Sequence, residues 1–195
     1  MGNFLDSGLR RNDEKYGLMP LSKCHSSLAP LYSPIMATEI ERKFLLLNDD
    51  WREQADAGVV LRQGYLTSLS PDQGQKSSIR VRIEGEQANL NIKSATLGIT
   101  RQEYEYPIPL ADAHALLDSL ADGPLIEKTR YHVRHGAHMW EIDVFAGDNR
   151  GLVVAEIELA AEDEDFEKPA WLGEEVSDDP RYYNVCLVTH PFKDW

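Results

Sequence analysis

Ile79-Arg80-Val81-Arg82-Ile83-Glu84-Gly85-Glu86-Gln87-Ala88-Asn89-Leu90-Asn91-Ile92-Lys93 decides the reading of this chain. Apolar and polar residues alternate with a period of two on both sides of Glu84-Gly85-Glu86, the pattern of two strands joined by a tight turn. The polar side of this hairpin carries Arg80 and Arg82 at i, i+2, then Asn89, Asn91 and Lys93. Solvent-facing strands more often mix Thr, Ser, Gln and Lys with their charges.

The same alternation recurs along the chain. Eight segments share it, over Thr38–Leu47, Val60–Leu69, Lys76–Glu84, Gln87–Ser94, Thr100–Pro107, Pro124–His135, His138–Phe145 and Leu152–Ala160, each bounded by Gly, Pro, Asp or Asn. Short turns such as His135-Gly136-Ala137 imply antiparallel hairpins, and eight such strands imply a closed barrel or a sandwich. Three helices are predicted between them. One begins at Trp51 after Asn48-Asp49-Asp50, one covers Leu110–Leu120, and one follows Asp178-Asp179-Pro180 with Tyr183, Leu187 and Val188 to pack. The acidic run Glu162 to Glu167 reads as a solvated loop or helix start.

Alternate positions in these strands are charged, with both acidic and basic residues. Glu39, Glu41 and Lys43 oppose Ile40 and Phe44, and Arg101, Glu103 and Glu105 oppose Tyr104 and Tyr106. Lys128 shares a face with Arg130, Glu141 with Asp143, and Glu156 with Glu158. One reading makes this the solvent face of a sheet, with cross-strand ion pairs worth a few tenths of a kcal/mol each. The other turns it inward. Like charges at i, i+2 stand ~7 Å apart, which is unfavourable without a counter-charge and suits a polyvalent ligand. A triphosphate with divalent cations is such a ligand, since arginines bind phosphate oxygens multidentately and paired carboxylates form a hard-oxygen site.

Glu39-Ile40-Glu41-Arg42-Lys43 is an ExExK motif, and with the motifs that follow it resembles the CYTH family, the adenylate cyclase and thiamine triphosphatase group also called triphosphate tunnel metalloenzymes. The resemblance runs from Met36 to about Val188. It includes the Arg80/Arg82 strand, Lys93, the strand with Lys128 and Arg130, Asp143, and Glu156 with Glu158. It implies an α+β domain dominated by a closed eight-stranded antiparallel β-barrel, a triphosphate tunnel with helices packed outside. Carried over by position, Glu39, Glu41, Glu156 and Glu158 are expected to bind Mg²⁺ or Mn²⁺, with Asp143 as helper. Lys43, Arg80, Arg82, Lys93, Lys128 and Arg130 are expected to bind the triphosphate, with Lys43, Arg82, Lys128 and Arg130 nearest the chemistry. Arg101 and Glu103 read either as an ion pair or as ligand contacts, and Tyr65 either as a tunnel residue or as a packed aromatic. Arg181-Tyr182-Tyr183-Asn184 resembles the family's C-terminal segment, whose helix plugs one tunnel end.

Composition narrows the function classes. A net charge of -13 argues against a nucleic-acid surface. Two cysteines, Cys24 and Cys186, make neither a disulfide framework nor a zinc site, and no apolar run is long enough for a membrane span, so a cytoplasmic protein with no membrane partner is expected. Residues 1–35 lack periodicity and read as a disordered tail or as an extension from a mis-assigned start codon, with Met36 as initiator. The tunnel domain is then 36–195. A monomer and a homodimer both fit. His114, His132, His135, His138 and His190 read as ordinary polar positions, and Trp51, Trp140, Trp171 and Trp195 as packing or rim aromatics.

The expected activity is metal-dependent hydrolysis of inorganic tripolyphosphate to diphosphate and phosphate. Thiamine triphosphate hydrolysis and ATP cyclisation are alternatives within the resemblance, and a non-catalytic polyphosphate or nucleotide sensor is the alternative of another class.

Overall fold

The computed structural model describes residues 37–67, 76–95 and 98–195. Its strands are β1 (Ala37–Leu46), β2 (Val59–Tyr65), β3 (Ser77–Glu84), β4 (Gln87–Ser94), β5 (Thr100–Pro107), β6 (Ile126–His135), β7 (His138–Phe145) and β8 (Val153–Glu158). They follow one another as β5-β4-β3-β2-β6-β7-β8-β1, and β1 pairs back onto β5 through Ala37↔Glu103 to Ile40↔Thr100. Every pairing is antiparallel and the ring is closed, so the eight strands form a barrel without free long edges. The expectations for the part of the second strand beyond Thr67 and for residues 1–35 lie outside the described residues.

Two hairpin turns carry glycine where the backbone needs positive φ. Gly85 (φ 57) joins β3 to β4 and Gly136 (φ 58) joins β6 to β7, each at the first of two loop positions. A short ninth strand, β9 (Leu172–Glu175), pairs with β1 through Phe44↔Glu175 and Leu46↔Leu172. It was not expected, because Leu172-Gly173-Glu174-Glu175 is too short to display alternation.

The helical expectations need correction at both ends. The helix expected from Trp51 is a single 3₁₀ turn, Asp50–Glu53, and the C-terminal one is a 3₁₀ turn, Pro180–Tyr182, followed by a six-residue helix. The middle helix is as expected: α1 (Leu110–Leu120), with α2 (Asn184–Thr189) the C-terminal one. The local reason at Trp51 is that the indole is fully buried, so the chain follows the barrel surface after one turn.

Apolar burial falls in three places. Outside β1, β6, β7 and β8, Phe44, Trp51, Val133, Trp140, Ile142, Ile157, Trp171 and Leu172 form the largest cluster. Trp140 meets Phe44, Phe166 and Trp171 edge-on at centroid distances of 5.6, 5.7 and 5.6 Å. Each fully buried side chain of this size contributes ~1.5–3 kcal/mol. Helices therefore do not cover this face. The segment through the acidic run covers it, because Phe166 within that run packs inward. Against β3 and β4, Val81, Ile83 and Ala88 pack on Ala113 and Leu117 of α1. Inside the barrel, Ile126, Phe145 and Val154 meet Leu187 and Val188 of α2, which closes that end. Trp195 is the one tryptophan at the rim. Among the described residues no helix is long and apolar enough to cross a membrane.

Candidate active site

Strand register decides which side chains share the interior. Glu41 lies opposite Glu158 and Lys43 opposite Glu156, while Glu39 lies opposite Arg101. Arg82 pairs with Asn89, Arg80 with Asn91, Lys93 with Glu103 and Arg130 with Asp143. The period-two face is thus the inside of the barrel. The solvent-face reading falls, because closure of β1 on β5 leaves that face no solvent side. The interior holds a cavity of about 900 Å³, lined among others by Glu39, Glu41, Arg80, Arg82, Lys128 and Arg130.

The charges within it neutralise one another in connected groups. Lys43, only 4% exposed, donates to Glu41 Oε2 at 2.8 Å and to Glu156. Burial alone would lower its pKa, but the Glu156 and Glu41 carboxylates outweigh burial and hold the ammonium above its ordinary value. Burial acts on Glu156 in the opposite sense, yet Lys43, Lys128 and Arg130 hold it well below the usual carboxylate range. Arg130 donates Nε to Asp143 Oδ1 at 2.8 Å, and Nη2 to Asp143 Oδ2 at 2.7 Å and to Glu156 Oε2 at 2.6 Å. It also pairs with Glu141. Lys128 shares Asp143, and burial together with the Arg130 charge lowers its pKa despite that partner.

The second group lies on β1, β3, β4 and β5. Lys93 Nζ donates to both Glu39 oxygens at 2.8 Å and stands 3.1 Å from Glu103. Arg82 Nη2 donates to Glu105 at 3.0 Å, and its pKa is lowered by burial and by Arg80. Arg80 is buried beside Tyr65, with Glu103 4.0 Å away. Tyr65 thus faces the cavity and also packs against the α2 plug, so both readings of it hold. Arg101 does not pair with Glu103. It reaches Glu41 at 3.0 Å and Glu39 at 3.5 Å.

Glu39, Glu41, Glu156 and Glu158 all line the cavity, while Asp143 is fully buried behind it with both oxygens engaged by Arg130. Among the described residues no three carboxylates or other ligating side chains converge closely enough to hold an ion as they stand. The donor chemistry nevertheless fits a hard divalent cation. Among the described residues Glu158 has no ion-pair partner, and burial followed by Glu39, Glu41 and Glu103 raises its pKa, which is the mark of carboxylates short of positive charge.

Sequence reasoning gave no role to two interior amides, of which it placed Asn91 on the polar face and passed over Gln63. Gln63 is buried, its Nε2 without a partner among the described residues, and Asn91 is fully buried with Nδ2 donating to Glu103 at 2.9 Å. Neutral amides give no charge pattern, so strand parity is their one signal, and it placed Asn91. His138 lies at the cavity's edge and contacts Glu164 at 2.9 Å.

A closed antiparallel barrel with a charged, ligand-sized interior defines a tunnel class of anion-binding proteins. The model of the CYTH domain matches residues 37–183, and the chain belongs to that family. Its triphosphatases are metalloenzymes in general. Two relatives are named inorganic triphosphatase. The one from Acetivibrio thermocellus is 43% identical over 160 residues, covering 82% of this chain and 99% of that protein. The one from Nitrosomonas europaea is 38% identical over 154 residues, covering 77% and 97%. A crystal structure of an inorganic triphosphatase superposes with a TM-score of 0.55 at 36% identity, covering 78% of this chain and 95% of that one.

Proposed function

We propose that this chain hydrolyses inorganic triphosphate to diphosphate and phosphate inside the barrel. The observation that carries the reading is a closed interior in which Lys43, Arg80, Arg82, Lys93, Lys128 and Arg130 face carboxylates across one cavity. The naming of two relatives as inorganic triphosphatases supports the choice of substrate.

The six cations bind the triphosphate oxygens, and the three arginines do so through planar, multidentate donors. Because the barrel fixes them before the substrate arrives, they stabilise the charge that gathers on the transferring phosphoryl group and on the leaving diphosphate. Asp143 orients Lys128 and Arg130 from behind, which fits its complete burial better than contact with an ion does. Glu39, Glu41, Glu156 and Glu158 are the residues to hold Mg²⁺ or Mn²⁺. When bound, the ion supplies Lewis-acid polarisation of phosphoryl oxygens and an acidified water.

The test compares substrates. Purified protein with Mg²⁺ or Mn²⁺ is given tripolyphosphate, thiamine triphosphate or ATP, and phosphate and cyclic AMP are measured. Fastest phosphate release from tripolyphosphate is expected. Cyclic AMP with diphosphate from ATP would replace this reading with cyclisation, and tight binding without release would replace it with a sensor.

A further inference from the structure

Arg101 occupies a position that none of the assigned roles explains. Its Cα lies opposite Glu39 on the strand pair that closes the barrel, and its Nη2 stands 3.0 Å from Glu41 Oε2 and 3.5 Å from Glu39 Oε2. One guanidinium nitrogen thus bridges the two glutamates of the ExExK motif. Behind it the Tyr183 ring lies 5.4 Å from the guanidinium carbon, and Tyr183 is itself held by a 2.8 Å hydrogen bond from its hydroxyl to the Ser177 carbonyl. Among the described residues the buried Arg101 Nε has no partner, so Arg101 is engaged chiefly through that one edge.

We propose that Arg101 is a built-in stand-in for the divalent cation: it bridges Glu39 and Glu41 while no metal is bound, and a metal entering between them must displace it toward the cavity. The displaced guanidinium keeps its charge inside a barrel that it lines, where the anion best able to receive it is the triphosphate. Metal binding and triphosphate binding then favour each other through one side chain. Such a link is reciprocal and typically amounts to about 5–150-fold in affinity. Lys43 and Lys93 also touch these glutamates, but each is tied in addition to Glu156 or Glu103, whereas Arg101 bridges the two ligands themselves. The inference rests on the triphosphatase reading for the identity of the ion and the anion.

Its test is a binding measurement on the full chain without triphosphate. Calorimetric titration with Mn²⁺ compares wild type, Arg101→Gln and Arg101→Lys, with a thermal melt on each to verify folding. Arg101→Gln is expected to bind Mn²⁺ about tenfold more tightly than wild type, and Arg101→Lys, which keeps the competing charge, much as wild type does. Unchanged or weaker binding by Arg101→Gln overturns the proposal. Should that variant not fold, the Arg101 Nε–H resonance of the wild-type protein decides. It must move when Mg²⁺ alone is added, and a stationary signal at saturating Mg²⁺ overturns the proposal equally. Wild type that hydrolyses tripolyphosphate while Arg101→Gln leaves Mn²⁺ affinity unchanged defeats this inference alone. Tightened Mn²⁺ binding in a protein that releases no phosphate defeats the functional reading and leaves Arg101 in place.

Discussion

Arg82 and Asp143 both point into the barrel, yet substituting them has different consequences. Arg82 is paired with Glu105 and Glu84 toward the more exposed part of the cavity. Its replacement by alanine leaves carboxylates that water can still reach. We expect Arg82→Ala to lower turnover ~10²–10³-fold, the usual cost of one preorganised donor, with little change in melting temperature. Asp143 is fully buried and is the shared partner of Lys128 and Arg130. Asp143→Asn leaves two buried cations undercompensated, and a loss of ~3–5 kcal/mol is expected in chemical denaturation. At this scale the i, i+2 charge pairs made nearly every charged interior residue legible, since strand parity carries them all to one face. The partner of each charge was not legible. Arg101 pairs with Glu41 and Glu39 rather than Glu103 because the β1–β5 register sets it there, and register between distant strands leaves no local trace.

At the level of elements, Gly64 of β2 lies close under α1 and the segment that follows it. A Cβ on Gly64 would lie 2.7 Å from Leu125 Cδ2, 2.9 Å from Leu117 Cδ2 and 3.0 Å from the Ala121 Cβ, so a larger residue here crowds α1 and the segment after it. Gly64→Val presses on Leu117, Ala121 and Leu125. We expect it to cost ~1–3 kcal/mol of stability by denaturant titration, as overpacking typically does. Strands were legible because alternation over six to ten residues is a strong signal, and α1 because its apolar spacing is helical. β9 and the turns of the C-terminal segment were not, since four-residue and three-residue elements owe their form to the surface on which they lie.

For the molecule as a whole, a barrel filled with ion pairs ties stability to pH. Glu156, Glu103 and Glu175 have folded-state pKa values below their ordinary ones. Burial opposes this in Glu156 and Glu103 and is outweighed by neighbouring cations, whereas in Glu175 the hydrogen bond from Arg42 leads. A depressed carboxylate contributes stability that is fully present above its unfolded pKa and is lost as pH falls through the folded one. Glu158 and Glu141 are shifted upward, chiefly by burial and then by neighbouring carboxylates in Glu158, so their protonation offsets part of the loss at mildly acidic pH. The melting temperature is therefore expected to stay level from neutrality to about pH 5 and to fall steeply below about pH 4. A steady decline beginning near pH 7 would contradict this pattern.

Catalysis by the interior face is tested most directly by phosphate release from tripolyphosphate with Mg²⁺ or Mn²⁺ and with chelator, in wild type beside a Glu39→Gln/Glu41→Gln double variant whose folding is verified by its melting transition. Release that requires the divalent ion and is lost in the folded double variant is the expected result. Equal release in chelator, or full activity in the double variant, would contradict it.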